Sequence, residues 1–407
     1  MKTRFHRIKM IVLLLMLLQQ GIPLLGQKAQ SGRFTPWQPG YLDIHHINTG
    51  EGNSTFVQMP DGTTLLVDVG TVDKAAFESR HSPLKATASL PDSLRSAGAR
   101  VAGYIQQMST SVRENRRVDY LVATHFHSDH IGGIPDFCAE ITPVKMIDRA
   151  YPTYNFPFDL KIKLKKDLIF QNYIKLVEQA NIDVEKMVVG SNGQIGLLKD
   201  RSGYPTFQVL NLKNGASLWN PQKNQVLELF SAEEMIAGGY NENPLSMAFK
   251  ISYGDFDYYL GADNTGLQDG ILPKWFDVET PLARAVGPVD AMTLNHHGNR
   301  DANNAFFIGA LDPKVAIQQV YSSDQPGQEV FYRLRNIGRA KSRLLYATNM
   351  HSETRATYGP WFDKAYQSMQ GHVVIRVYPS GKMYRVYVLD EADLSIRDES
   401  VLIRADE

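Results

Sequence analysis

The 407-residue sequence has one cysteine, Cys138, so no intramolecular disulfide can brace it. Its stability must come from core burial and bound groups. A surplus of one charge is also lacking. Lys and Arg total 43 and Asp and Glu total 43, which leaves no overall field to draw the chain to nucleic acid or an anionic membrane. The apolar run at residues 10–18 is too short to cross a bilayer as a helix. Internal repeats and low-complexity tracts are missing too. Hydrophobic residues make up 43% of the chain, enough for a sizeable core, and this excludes disorder.

The N-terminus has a pattern of its own. Lys2, Arg4, Arg7 and Lys9 precede the apolar run, and Gly26 follows as a small residue. Basic start, short apolar core and small residue describe a secretory signal peptide over residues 1–26, the alternative being an uncleaved anchor. Cleavage removes four basic groups and no acidic ones, leaving 39 against 43, a mildly acidic chain. The expectation is a periplasmic or secreted protein. It has no membrane contact after cleavage and no strong nucleic-acid-binding signature, and nothing indicates its oligomeric state.

A Pro/Gly-containing linker (27–40) leads into strand patterns at 42–47, 55–59, 63–69, 118–124, 247–253, 256–260, 291–294, 315–320, 373–378 and 384–389. Val101, Tyr104, Ile105 and Met108 share one helical face. Strands outnumber helices, which predicts an α/β (α+β) sandwich of two sheets over 41–395, with 396–407 as a tail. Residues 138–240 lack histidine and carry aromatic and proline clusters. They read as an insertion beside the site. Lys161, Lys163, Lys165 and Lys166 within it read as a solvated face.

The most informative stretch is Thr124-His125-Phe126-His127-Ser128-Asp129-His130-Ile131-Gly132-Gly133. Three imidazoles and a carboxylate within six residues, directly after a buried strand, suit zinc, iron or manganese. His125 and His127 are two apart and share a side in an extended loop, so they can grip one ion. Asp129 and His130 lie beyond a bend and can reach a second. His45 and His46 alternate along a strand, one inward and one outward, and read as packing. His351 and His372 read as structural.

With this cluster the sequence resembles the metallo-β-lactamase superfamily, whose motif is His-x-His-x-Asp-His. The resemblance implies a four-layer αββα sandwich holding two divalent ions, zinc first and manganese second. It gives Asp68, at the end of Leu-Leu-Val-Asp-Val-Gly, the task of orienting the metal loop from behind. Asp263 becomes the carboxylate bridging two ions, and His296, in Leu-Asn-His-His-Gly, the last ligand of the second. Gly50-Glu51-Gly52-Asn53-Ser54, Pro60-Asp61-Gly62, Asn241-Glu242-Asn243-Pro244-Leu245 and His296-His297-Gly298 further resemble the metallo-β-lactamase domain of DNA-uptake channel proteins of the ComEC type. The superfamily's third histidine on the first metal is missing, since no histidine lies between His130 and His296. Asn243 stands near that place, and Asn53 is a second polar liner.

The reaction expected is hydrolysis of a small or oligomeric phosphodiester. Two cations would lower the pKa of a shared water and hold two nonbridging oxygens. Asp129 would orient the nucleophile. His297 would contact the phosphate or protonate the leaving oxygen, or else orient His296. Hydrolysis of a lactam, amide or carboxylic ester is the alternative, and a secreted binding protein with a vestigial site is another.

Overall fold

The computed structural model describes residues 32–179, 181–267, 272–339 and 342–406, so the expected signal peptide lies outside the described residues. In chain order the strands are β1 (Leu42–His46), β2 (Thr55–Gln58), β3 (Thr64–Val67), β4 (Arg117–Ala123), β5 (Thr142–Asp148), β6 (Asp183–Lys186), β7 (Phe207–Asn214), β8 (Ser217–Asn220), β9 (Gln225–Glu228) and β10 (Ala248–Tyr253). There follow β11 (Phe256–Leu260), β12 (Ala291–Thr293), β13 (Val315–Gln318), β14 (Leu344–Ala347), β15 (Tyr366–Ser368), β16 (His372–Val377), β17 (Met383–Leu389), β18 (Ile396–Glu399) and β19 (Ile403–Arg404). Among the described residues they form two sheets. One runs β18-β17-β16-β1-β2-β3-β4-β5-β6 with β19 on β17, and the other runs β15-β14-β13-β12-β11-β10-β7-β8-β9.

Alternation along each strand explains the layering. Leu65 and Val67 of β3 point into the inter-sheet core with Val122, Val209, Phe249 and Ile317. Leu66, between them, packs outward with Leu121 against Val101, Ile105 and Phe137 of the helices. On the far side, Tyr259, Met292 and Ala316 meet Leu282, Phe307, Ile308 and Leu334. Strands covered on both faces need apolar residues at successive positions, which is why they read as continuous runs. The result is the αββα sandwich.

Three expectations change. Residues 138–240 are no appendage: they supply β5 and β6 to the first sheet and β7, β8 and β9 to the second. The tail is stitched to β17 through β18 and β19. His45 and His46 are both buried, because helices and the second sheet cover the two faces of β1. His45 Nδ1 lies 2.9 Å from the Tyr104 hydroxyl, and His46 Nε2 lies 2.7 Å from that of Tyr258. Residues 161–166 do face solvent, where Lys161 pairs with Glu178.

β3 and β4 run parallel, as do β11 and β12, so in each pair the carboxyl ends open on one edge. Asp68, His125, Asp263 and His297 all follow those ends. Open α/β sheets place their ligands there.

Candidate metal centre

The 125–130 loop is held by its backbone before any side chain acts. Val69 N donates to His130 O at 2.8 Å, Thr71 N to Ser128 O at 2.9 Å and Asn53 N to Asp129 O at 2.8 Å. A Cβ on Gly52 or Gly70 would come within 2.3 or 2.0 Å of Asp129 O, so both positions require glycine. Glu242 closes the other side. Its Oε1 accepts from Phe126 N, between the first two histidines, at 3.1 Å. The same carboxylate takes both ends of the buried Arg149 guanidinium at 2.6 and 2.7 Å, and the Tyr240 hydroxyl as well. Buried Lys213 donates to the carbonyls of Pro244 (2.6 Å) and Ser246 (3.0 Å), tying down the loop that carries Asn243.

Two donor groups converge. His125, His127 and Asp263 form one, and Asp129, His130, Asp263 and His297 the other, with all ligand atoms of a group within 4.8 Å of one another. Asp263 belongs to both. Its Oδ1 lies 3.0 Å from His130 Nε2 and 3.4 Å from His297 Nε2, while its Oδ2 lies 3.7 Å from His125 Nε2. His125 Nε2 and His127 Nδ1 face each other at 3.3 Å.

Hydrogen bonds behind the rings fix what points inward. Asp68, at φ 60°, accepts from Thr124 N (2.8 Å) and Thr124 Oγ1 (2.7 Å) and sits 2.7 Å from His130 Nδ1. His297 Nδ1 donates to the Gln319 carbonyl at 3.0 Å. With each Nδ1 carrying its proton, the Nε2 lone pairs of His130 and His297 face carboxylate oxygens. His130 Nε2 and Asp263 Oδ1 are buried and lack a hydrogen-bond partner. An Nε2 without its proton repels these carboxylates, so a proton or a cation must stand between them, and the donor set fits divalent metal.

The electrostatics agree. Burial opposes charge on His297, yet Asp263 and Asp129 raise it to about 9. Burial likewise opposes charge on His130, and Asp263 and Asp68 lift it well above the usual imidazole range. Asp263 is held well below the carboxylate range by His130, His297 and His296, against the desolvation of its burial. The field that favours these protons is the one a cation would feel.

His296 lies outside both groups. Its Nδ1 lies 2.6 Å from Asp301 Oδ1, its Nε2 lies 3.0 Å from Asn243 Nδ2 and 3.8 Å from Asp263 Oδ2, and its side chain keeps 16% exposure. Asp263 is thus flanked by both neighbours, with His297 Nε2 3.4 Å from Oδ1 and His296 Nε2 3.8 Å from Oδ2, the latter close to the 3.7 Å of His125. Asn243 is brought to His296, with its own Oδ1 buried and unpartnered. Asn53 acts through its backbone on Asp129, and its Oδ1 is unpartnered as well.

Sequence reading missed Asp301 and Tyr321. Asp301 is five residues past His296, and that spacing was the available signal. Tyr321 follows β13 without any motif. Burial and the nearby Asp129 and Asp263 carboxylates raise its hydroxyl well above the usual range, and its ring meets His297 edge-on at 4.7 Å.

No curated protein matches the chain. Among solved structures, a variant of CmlA β-hydroxylase is 14% identical, with 84% of this chain and 54% of that chain covered and a TM-score of 0.39. The chain therefore spans about half of that protein's length. Igni18, a metallo hydrolase from the archaeon Ignicoccus hospitalis, is 13% identical (68% and 81% covered, TM-score 0.33). The metallo-β-lactamase SMB-1 bound to 2-mercaptoethanesulfonate is 14% identical (65% and 83% covered, TM-score 0.33). Residues 47–195, which include Asp68 and the whole His125–His130 cluster, match the family model of the metallo-β-lactamase superfamily.

Proposed function

We propose that this chain is a dinuclear metal-dependent hydrolase that cleaves phosphodiesters. The observation that carries the reading is the position of Asp263. One of its oxygens turns to His130 and His297, and the other to His125. On this reading His125, His127 and Asp263 would hold one cation, and Asp129, His130, His297 and Asp263 would hold the other. The imidazole-rich set favours zinc, with manganese second.

Two such cations, when bound, would supply a lowered water pKa and positive charge for two nonbridging phosphate oxygens. The chain's own residues position groups and move protons. Asp68 and the Gln319 carbonyl turn the Nε2 atoms of His130 and His297 inward. Asp129 accepts a hydrogen bond from the attacking water. The proton for the leaving oxygen comes from His296, whose Nδ1 is anchored on Asp301 and whose side chain reaches solvent. Rotation of the Asn243 carboxamide replaces its donor with its unpartnered oxygen, so Asn243 can face either protonation state of His296. The role first expected of His297 passes to His296.

Phosphodiester is preferred to lactam because two further ComEC-like segments, besides His296-His297-Gly298, touch the site. Asn53 supports Asp129, and Glu242 supports Phe126 between the paired histidines. The missing third histidine fits the same type. With residues 1–26 as an export signal, the substrates available are extracellular nucleic acid, nucleotides or envelope phosphodiesters.

The test is hydrolysis of bis-(p-nitrophenyl) phosphate with Zn²⁺ or Mn²⁺, with nitrocefin assayed alongside and metal content measured. Phosphodiester cleavage that His127→Ala abolishes supports the reading. Nitrocefin turnover alone moves the substrate to a lactam, and an absence of metal binding removes the hydrolase reading.

A further inference from the structure

The turn carrying His296 and His297 has an unfavourable backbone. Both residues are left-handed (φ 46° and 55°), as is Asn303 (φ 55°), a region that residues with a Cβ enter only when their surroundings hold them there. Asn295 and Asn303 clasp the turn from below: Asn295 N donates to Asn303 Oδ1 at 3.0 Å, and Asn303 Nδ2 returns a bond to Asn295 O at 2.8 Å.

Beneath this clasp lies Glu279, fully buried at the start of the Glu279–Val286 helix. Its Oε1 accepts from Asn295 Nδ2 (2.7 Å) and Asn303 N (2.5 Å), and its Oε2 accepts from Asn304 N (2.7 Å). Tyr259 of β11 adds its hydroxyl to Asn295 Oδ1 at 3.0 Å. A Cβ on Gly266 would fall 1.9 Å from Glu279 Oε2, so the carboxylate is closely enclosed. Donors reach both oxygens. An ionised carboxylate satisfies them all, whereas a carboxamide must oppose one N–H with its own.

We propose that Glu279 is the positioning residue of the second metal, acting through Asn295 and Asn303 to hold the left-handed turn that sends His297 inward and leaves His296 to Asp301. Glu279 touches neither histidine, so its effect is on where they stand. The inference rests on the dinuclear reading above and adds a residue outside both donor groups.

The experiment dialyses the full-length chain against graded free Zn²⁺ and measures bound zinc per chain, with circular dichroism as the check on folding. The wild type is expected to bind two zinc ions. Glu279→Gln should keep one at wild-type affinity and bind the other about 10–100-fold more weakly, as when partners behind metal ligands are removed. Asn303→Gly breaks the clasp at a position where glycine accepts the backbone angle, and it should show the same selective loss. If Glu279→Gln does not fold, Asn303→Gly decides. Folded variants that bind both ions as the wild type does, or lose both alike, overturn the inference. A wild type that binds no zinc overturns the dinuclear reading and the inference with it.

Discussion

His296 and His297 are neighbours in the chain, yet His297 Nε2 lies 3.1 Å from Asp129 while His296 Nδ1 lies 2.6 Å from Asp301. Their replacements should therefore differ in kind. His297→Ala should lose one of two bound ions. His296→Ala should keep both and lower kcat by about 10²–10⁴-fold with little change in KM, as expected when a proton donor is removed. Metal content and steady-state kinetics of the two variants check this; identical phenotypes would refute the division of roles.

Asp68 serves Thr124 and His130 together. Asp68→Ala removes the acceptor that holds His130 in its inward tautomer, and metal affinity should fall by about 10–100-fold. Competition with a chromophoric chelator measures the change. Unaltered affinity would show that the Asp68 carboxylate does not orient the ring.

Arg149 and Glu242 form a buried, bidentate ion pair beside the paired histidines. Glu242→Gln strands the guanidinium in the interior and should destabilise the fold by about 3–5 kcal/mol. Urea unfolding reads the loss. The double replacement Arg149→Met with Glu242→Leu should recover most of that stability but not activity, because Phe126 N still lacks its acceptor.

Away from the two donor groups, burial pulls the His46 imidazole down to about 4, against its bond to the Val373 carbonyl. A depressed histidine contributes stability that is complete above the unfolded value of 6.5 and is lost as pH falls toward 4. The displacement amounts to about 3 kcal/mol. Unfolding free energies of the wild type and His46→Gln, taken between pH 7.5 and 4.5 in chelator, should differ in slope, with the variant the flatter. Parallel curves would exclude His46 as an acid-labile element.

Metal should stabilise the folded chain by mass action. At free zinc about 1,000-fold above the dissociation constant, the gain from one site is about 4 kcal/mol. Thermal unfolding with zinc and with a chelator should show a higher Tm in zinc, and His125→Ala should narrow the gap. An equal Tm in both media would count against tight binding at either donor group.

How much could be read in advance followed burial. β3, β4, β11 and β12 are covered on both faces, so their apolar runs mark them plainly. β6 and β9 are edge strands with mostly exposed side chains, and they left no such mark. Residues 138–240 read as an insertion on composition, yet they extend both sheets. At the site, the 125–130 cluster was legible because four side chains able to hold a metal are close in sequence. Tyr321 and Glu279 were not, since each reaches the site only through a neighbour.

The sequence by itself determined which donor-type side chains are present, their placement just past strand ends and the order in which they follow one another. It left open where each of two adjacent histidines points, because that depends on backbone angles rather than on spacing. At φ 46° and 55° the His296–His297 turn departs from both helix and strand, so neither periodicity says where its imidazoles point. Packing from a distant helix, through Glu279 and the Asn295–Asn303 clasp, decides it.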